Sequence, residues 1–140
     1  MFPQLAAGDG WALSVDPDAL DDDELAAALM ALHHSDAVRA AAKARLTAAF
    51  EARQVWANDG SRTAAAWLAR HCGLPYGVAR AEVRFARRLR EMPATAEALA
   101  AGEVTAHHAR RLAWLNRTQV AAAFADSEPL LAHMESGVVA

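Results

Sequence analysis

Alanine fills 38 of the 140 positions, and this narrows the folds open to the chain more than any motif in it does. Alanine is the strongest helix former and buries little area. Strands draw instead on β-branched and aromatic residues in period-two alternation, and no segment here alternates convincingly. The expected class is all-α, a multi-helix bundle with one or two helix-turn-helix-like units. Alanine also inflates the 54% hydrophobic fraction, since no run approaches the roughly 18 apolar residues of a membrane span. No basic segment followed by an apolar one opens the sequence as a secretory signal would. The length fits one domain able to bury a core without disulfides. Cys72 is the only thiol, which leaves no disulfide framework and no thiolate-rich zinc site within one chain and makes a reducing, cytoplasmic setting the expectation.

Charge is sorted along the sequence. Residues 1–36 hold eight acids (Asp9, Asp16, Asp18, Asp21, Asp22, Asp23, Glu24, Asp36) and no Lys or Arg, whereas residues 37–117 hold all fourteen basic residues against six acids. A net −3 chain therefore contains a −8 stretch followed by a +8 stretch. The basic stretch suits either a polyanion partner or a solvated helical surface.

Glycine and proline punctuate the helices. Pro3, Gly8, Gly10 and Pro17 mark 1–17 as an irregular lead-in that Trp11 could dock. The expected single helical domain spans 18–135. Asp21 to Glu24 place negative charge at the start of a helix over 21–33, with Leu25, Leu29 and Leu32 in helical register. Ser35 or Asp36 would cap a longer helix over 36–57, striped by Val38, Leu46, Phe50 and Val55 and stopped at Asn58-Asp59-Gly60. Ser61 would cap a helix over 62–71 that ends at Gly73. Pro75 starts another over 76–91, Pro93 ends that one, and 94–101 runs to Gly102, after which Thr105 caps the next. Residues 118–135 read as one or two helices broken near Ser127-Glu128-Pro129. Residues 136–140 read as a truncated end or the start of a linker.

Two stretches have the layout of a helix-turn-helix unit. In the first, Cys72-Gly73-Leu74-Pro75 joins two helices, with Ala69 and Gly73 allowing close approach and Val78 expected to lock the pair. The second helix carries Arg80, Arg84, Arg87 and Arg88 on the arc opposite Val78, Phe85, Ala86 and Leu89, where the arginines could meet phosphates or base edges. Glu82 falls inside the apolar arc and calls for a partner such as Arg70 or Arg110. The second stretch runs from Gly102 through Thr105, His107 and His108 to Arg110 and Arg111. The nucleic-acid-binding set is thus Arg80, Arg84, Arg87, Arg88, Arg110 and Arg111.

No catalytic residue, metal site or cofactor is called for. Adjacent histidines on a helix point in different directions, so His33-His34 and His107-His108 do not form metal sites, and His71-Cys72 lacks a third ligand at matching spacing. Hydrolase elbows, phosphate loops, dinucleotide glycines and zincin motifs are absent.

The order Trp67-Leu68-Ala69, Gly73-Leu74, Ala79, Val83, Ala86, Leu89, Pro93-Ala94-Thr95, Ala98-Leu99, Gly102-Glu103-Val104-Thr105, His108-Ala109 resembles the 13E12 repeat family, a domain of unknown function common in high-GC bacteria. The likeness covers about 60–117, and the acidic helix followed by a long alanine-rich one at 20–57 is similar to that family's lead-in. In that family the helical domain commonly precedes an HNH endonuclease domain. The resemblance thus implies a bacterial DNA-binding or target-positioning module of an HNH-type protein. The family's nuclease residues map to no position here. Gly102 to Arg111 is also similar to a helix-turn-helix segment of partition-type DNA-binding proteins. The competing expectation is a protein-interaction module in which the helix over 36–57 pairs with its copy as a homodimer and the arginines serve acidic surfaces.

Overall fold

The structure, a computed structural model, describes residues 2–116 and 121–133. Among them the chain forms helices and turns with no strand, so the all-α, multi-helix class is the one it adopts. The elements run α1 (Pro3–Ser14), a 3-10 turn (Pro17–Ala19), α2 (Asp22–Ala52), a second 3-10 turn (Val55–Asp59), α3 (Ala64–Cys72), α4 (Tyr76–Leu89), α5 (Pro93–Ala100), α6 (Ala106–Leu115) and α7 (Ala121–Leu131). The chain divides into two compact units, Met1–Leu32 and His33–Ala140. The sequence suggested one domain over 18–135. The boundary falls within α2, where no linker composition marks it.

In the first unit the expected irregular lead-in is a helix. Pro3 sits at the first helical position of α1, where its fixed φ helps and its missing N–H costs nothing. Gly8 and Gly10 cost about 1 kcal/mol each in helix propensity, which the alanines and leucines around them outweigh. Trp11, expected to dock that lead-in, is 68% exposed. The start of α2 is a reciprocal capping box. The Asp21 carboxylate accepts from the Glu24 N–H at 2.8 Å, and the Glu24 carboxylate accepts from the Asp21 N–H at 3.0 Å, so two otherwise orphaned donors are satisfied. No described residue of this unit is buried.

In the second unit α2 runs on through His34, Ser35 and Asp36, where the sequence predicted a break. Nothing between 22 and 52 is Gly or Pro, and a Ser or Asp caps a helix only where the chain has already left it. The face that α2 buries is Ala37, Ala41, Ala44, Thr47 and Ala48, not the larger stripe, for Leu46 is 72% exposed. Small side chains let the helix lie close to Phe85, Leu89, Met92, Leu99, Leu112 and Phe124, which share its cluster. Full burial of side chains such as Met92 and Leu99 contributes about 1.5–3 kcal/mol each.

A second cluster joins Ala64, Ala65, Ala79 and Val83, with Phe50, Trp56, Leu68, Ala69 and Leu74 partly buried against it. It explains why α2 stops before Asn58-Asp59-Gly60. Gln54 takes the left-handed conformation (φ 53°) and the following 3-10 turn carries Trp56 into this cluster; Gly60 (φ 87°) ends that turn instead.

Pro129 does not break α7. Buried Phe124 and Glu128 before the missing donor and buried Ala132 after it hold the segment in place. A Glu128 carboxylate oxygen accepts from the Thr95 N–H at 3.1 Å, placing its charge against the N-terminal turn of α5, where the helix dipole favours an anion. The expected truncated end, 136–140, lies outside the described residues.

Candidate nucleic-acid interface

The first helix-turn-helix unit forms as α3, a three-residue turn and α4. Thr63 caps α3 in place of Ser61: its hydroxyl accepts from the Ala66 N–H at 3.0 Å. Gly73 closes α3 in the left-handed conformation (φ 67°), which only glycine adopts cheaply. Pro75 then cannot extend that helix and precedes α4. Ala79 and Val83 lock the pair, both buried against α3. Val78, expected to do so, is 46% exposed; it lies one residue, about 100° of helical rotation, off the packed face.

Ser61 has another task. Its hydroxyl donates to Asp59 at 2.7 Å, and the other Asp59 oxygen meets the His71 imidazole. His71 stacks on Trp67, whose ring is tilted against Phe50. The hydroxyl of Ser61 and the hydrogen bond from His71 hold the Asp59 carboxyl down at about 2. Hydroxyl and imidazole meet on the carboxylate and not on each other, so this trio clasps the 3-10 turn to α3 and does not pair a nucleophile with a base.

The six arginines of the predicted set separate into four kinds. Arg80 and Arg84, one turn apart on α4, line an open cleft of about 260 Å³ together with Arg87, Glu51, Trp56, Thr63, Tyr76 and the first residues of α3. Among the described residues Arg80 and Arg84 make no ion pair. Arg87 lies in the same cleft, but its guanidinium is forked onto the Glu51 carboxylate, with Nε 3.3 Å from one oxygen and the terminal nitrogen on the other. That pairing raises its pKa, and much of its charge is answered within the chain.

Arg88 and Arg110 serve the packing. The Arg88 guanidinium donates to the Ala113 carbonyl at 3.0 Å, tying α4 to α6. Arg110 lies over the Phe85 ring, 5.0 Å from its centroid, a cation–π contact. Arg110 does not pair with Glu82, nor does Arg70. Glu82 is half-exposed beside Lys43 and Arg110, so water supplies what a buried carboxylate would have needed from a partner. Arg111 is exposed on α6.

The second helix-turn-helix-like stretch also forms. Gly102 (φ 73°) turns the chain, and the Thr105 hydroxyl accepts from the His108 N–H at 3.0 Å to start α6. His108 is buried, with its Nε2 donating to the Leu131 carbonyl at 3.0 Å, so it supports α7 and offers nothing to a phosphate. His107 is exposed. Among the described residues no group of three or more His, Cys, Asp or Glu side chains could hold a metal ion, and no helix is long and apolar enough to cross a membrane.

Sequence reasoning missed Glu51, Trp56, Thr63 and Tyr76 as parts of the cleft. Tyr76 had a signal, since it stands four and eight residues before Arg80 and Arg84 and shares their side of α4. Of the other three, Glu51 comes from the last turn of α2, Trp56 from the 3-10 turn after it and Thr63 from the cap of α3, a convergence that no spacing in the sequence shows.

A helical domain with an arginine-lined helix-turn-helix unit is the class that these elements define. A family model described as a domain of unknown function, DUF222, matches residues 26–133, and the chain belongs to that family. No curated protein and no solved structure matches it.

Proposed function

We propose that the chain is a DNA-binding or target-positioning module, with α3, its turn and α4 as the docking unit and Arg80 and Arg84 as the principal phosphate contacts. The observation that carries this reading is the pair of cations, unpaired among the described residues, in an open cleft beside the N-terminal turn of α3. The first backbone N–H groups of a helix favour an anion, and arginine presents a planar fork to phosphate. Tyr76 is exposed beside them in the same cleft and would offer its ring and hydroxyl to a base or sugar. The resemblance to the 13E12 family extends the proposal to a longer HNH-endonuclease-type parent of bacterial origin in which this module positions the target.

Binding would come from charge neutralisation and counterion release. Anisotropy of a labelled duplex, titrated at two salt concentrations, tests it. Binding should weaken steeply as salt rises, and Arg80→Ala with Arg84→Ala should reduce the log–log salt slope by about 1.8, two phosphates at roughly 0.9 each. Glu51→Gln should strengthen binding, because it removes a carboxylate from the cleft and releases Arg87. Absence of binding at low salt would overturn the proposal. The homodimer expected through 36–57 is less favoured, because the alanine face of that segment is covered by the second unit's own cluster.

A further inference from the structure

The cleft beside α4 holds an unbalanced charge in a small space. Its charged lining residues are Arg80, Arg84, Arg87 and Glu51, three cations against one anion. Arg87 is forked onto Glu51, which leaves the +2 of Arg80 and Arg84, side chains that make no ion pair among the described residues. The remaining walls, Trp56 and Thr63 among them, bring no charge. At about 260 Å³ the cleft falls just below the roughly 300–1,000 Å³ of small-molecule pockets, a scale suited to one nucleotide and not to a length of duplex.

Tyr76 adds a ring to these charges. Tyr76, Arg80 and Arg84 follow one another at intervals of four along α4, each about 40° round from the last, so the ring and the two guanidinium groups share one side of the helix. Tyr76 is 53% exposed. Within a strand both faces of a base are already stacked, and a protein ring must displace a neighbour to reach one. At the end of a strand one face is open, and an aromatic ring covers it without that cost. Charge makes the same distinction. A backbone diester carries one negative charge, whereas a phosphomonoester carries about −1.5 to −2 at neutral pH, with three acceptor oxygens on one group. Two arginine forks one turn apart match that dianion in both charge and donors.

We infer that the cleft is a site for a terminal phosphomonoester, the phosphorylated end of a DNA strand, with the phosphate on Arg80 and Arg84 and the last base on Tyr76. This rests on the DNA-binding reading proposed above and narrows it from the duplex at large to its ends.

Anisotropy competition at low salt, with one sequence in four forms, tests it. The forms are a linear duplex with a phosphate at every strand end, the same duplex with hydroxyls there, the same with its terminal phosphates methylated to diesters, and a closed dumbbell without ends. A mononucleotide carrying one phosphomonoester is the fifth competitor. The phosphorylated duplex should bind about tenfold tighter than the hydroxyl form or the dumbbell, and methylation should remove most of that gain. Arg80→Ala or Arg84→Ala should cancel the preference, and Tyr76→Ala should weaken binding of the linear forms while leaving the dumbbell unchanged. Helicity by circular dichroism should not move, because all three residues are exposed. Equal binding of the dumbbell and the phosphorylated duplex would overturn the inference and leave the DNA reading standing. Failure of every DNA form, beside saturable and Arg80-dependent binding of the mononucleotide, would overturn the DNA reading and keep the phosphomonoester site. Binding of none of the five would overturn both.

Discussion

Residues 1–32 and residues 33–140 are built from similar material. Alanine makes up eight of the first 32 residues and thirty of the remaining 108, and helices dominate both stretches. Among the described residues only the second stretch buries side chains. A helix needs only its own backbone and a favourable propensity, whereas a core needs apolar faces from several elements meeting on one side, and about 32 residues fall below the size at which chains usually manage this alone. The capping box at Asp21 and Glu24 shows how local the first unit's organisation is: its bonds span three residues. In the second unit the bond from Thr95 to Glu128 spans 33.

The sharpest way to break this contrast is to cut one leucine in each unit. Leu99→Ala in the second unit, where the side chain is fully buried, should cost about 2–5 kcal/mol. Leu13→Ala, at 88% exposure, should stay within about 0.5 kcal/mol. Urea unfolding of both variants measures the difference, and equal losses would mean that the first unit has a core of its own.

Gly102→Ala should come next, at about 1–2 kcal/mol, because φ is +73° there and an added Cβ would meet the His34 imidazole. His34 is exposed and can swing away, so pairing the change with His34→Ala should recover only the smaller, steric part.

The caps offer a finer comparison. Asp21→Ala and Thr105→Ala each remove a side-chain acceptor from a helix N-terminus, and each should cost about 1 kcal/mol locally. In global unfolding the Thr105 change should register and the Asp21 change should largely disappear. Amide exchange should show the Asp21 loss confined to the first turns of α2, since regions without buried contacts open independently.

The smallest effect is expected at His133. The Glu103 carboxylate and then the Pro129 carbonyl raise its pKa above the ordinary 6.5. A raised histidine stabilises fully below its unfolded value and loses that contribution as pH rises through the folded value. Proton resonances of the His133 ring should therefore titrate above the ordinary 6.5, and Glu103→Gln should lower that midpoint.

Much of this fold was legible in the sequence because its signals are local. Gly73 and Gly102 fixed two turns, Thr105 announced its cap, and Pro75 and Pro93 bounded α4. The errors came where local signals competed with packing. Ser35 and Asp36 looked like a cap and were overruled by an unbroken run of helix formers; Pro129 looked like a break and was held by buried neighbours. The arginine cleft was half legible. Arg80 and Arg84 could be read from spacing on one helix, but nothing in the sequence shows that Arg87 faces Glu51, that Arg88 reaches Ala113, or that Arg110 covers Phe85.

Helical class, the turns at Gly73 and Gly102 and the separation of acidic from basic stretches were settled by the sequence itself, since propensity, special backbone angles and charge are properties of residues and their near neighbours. The tertiary structure decided which alanines form the buried face of α2, which arginines pair within the chain, and that none of the described residues before His33 is buried. Each of these depends on which distant side chains arrive on the same face, and that is a property of the packed chain.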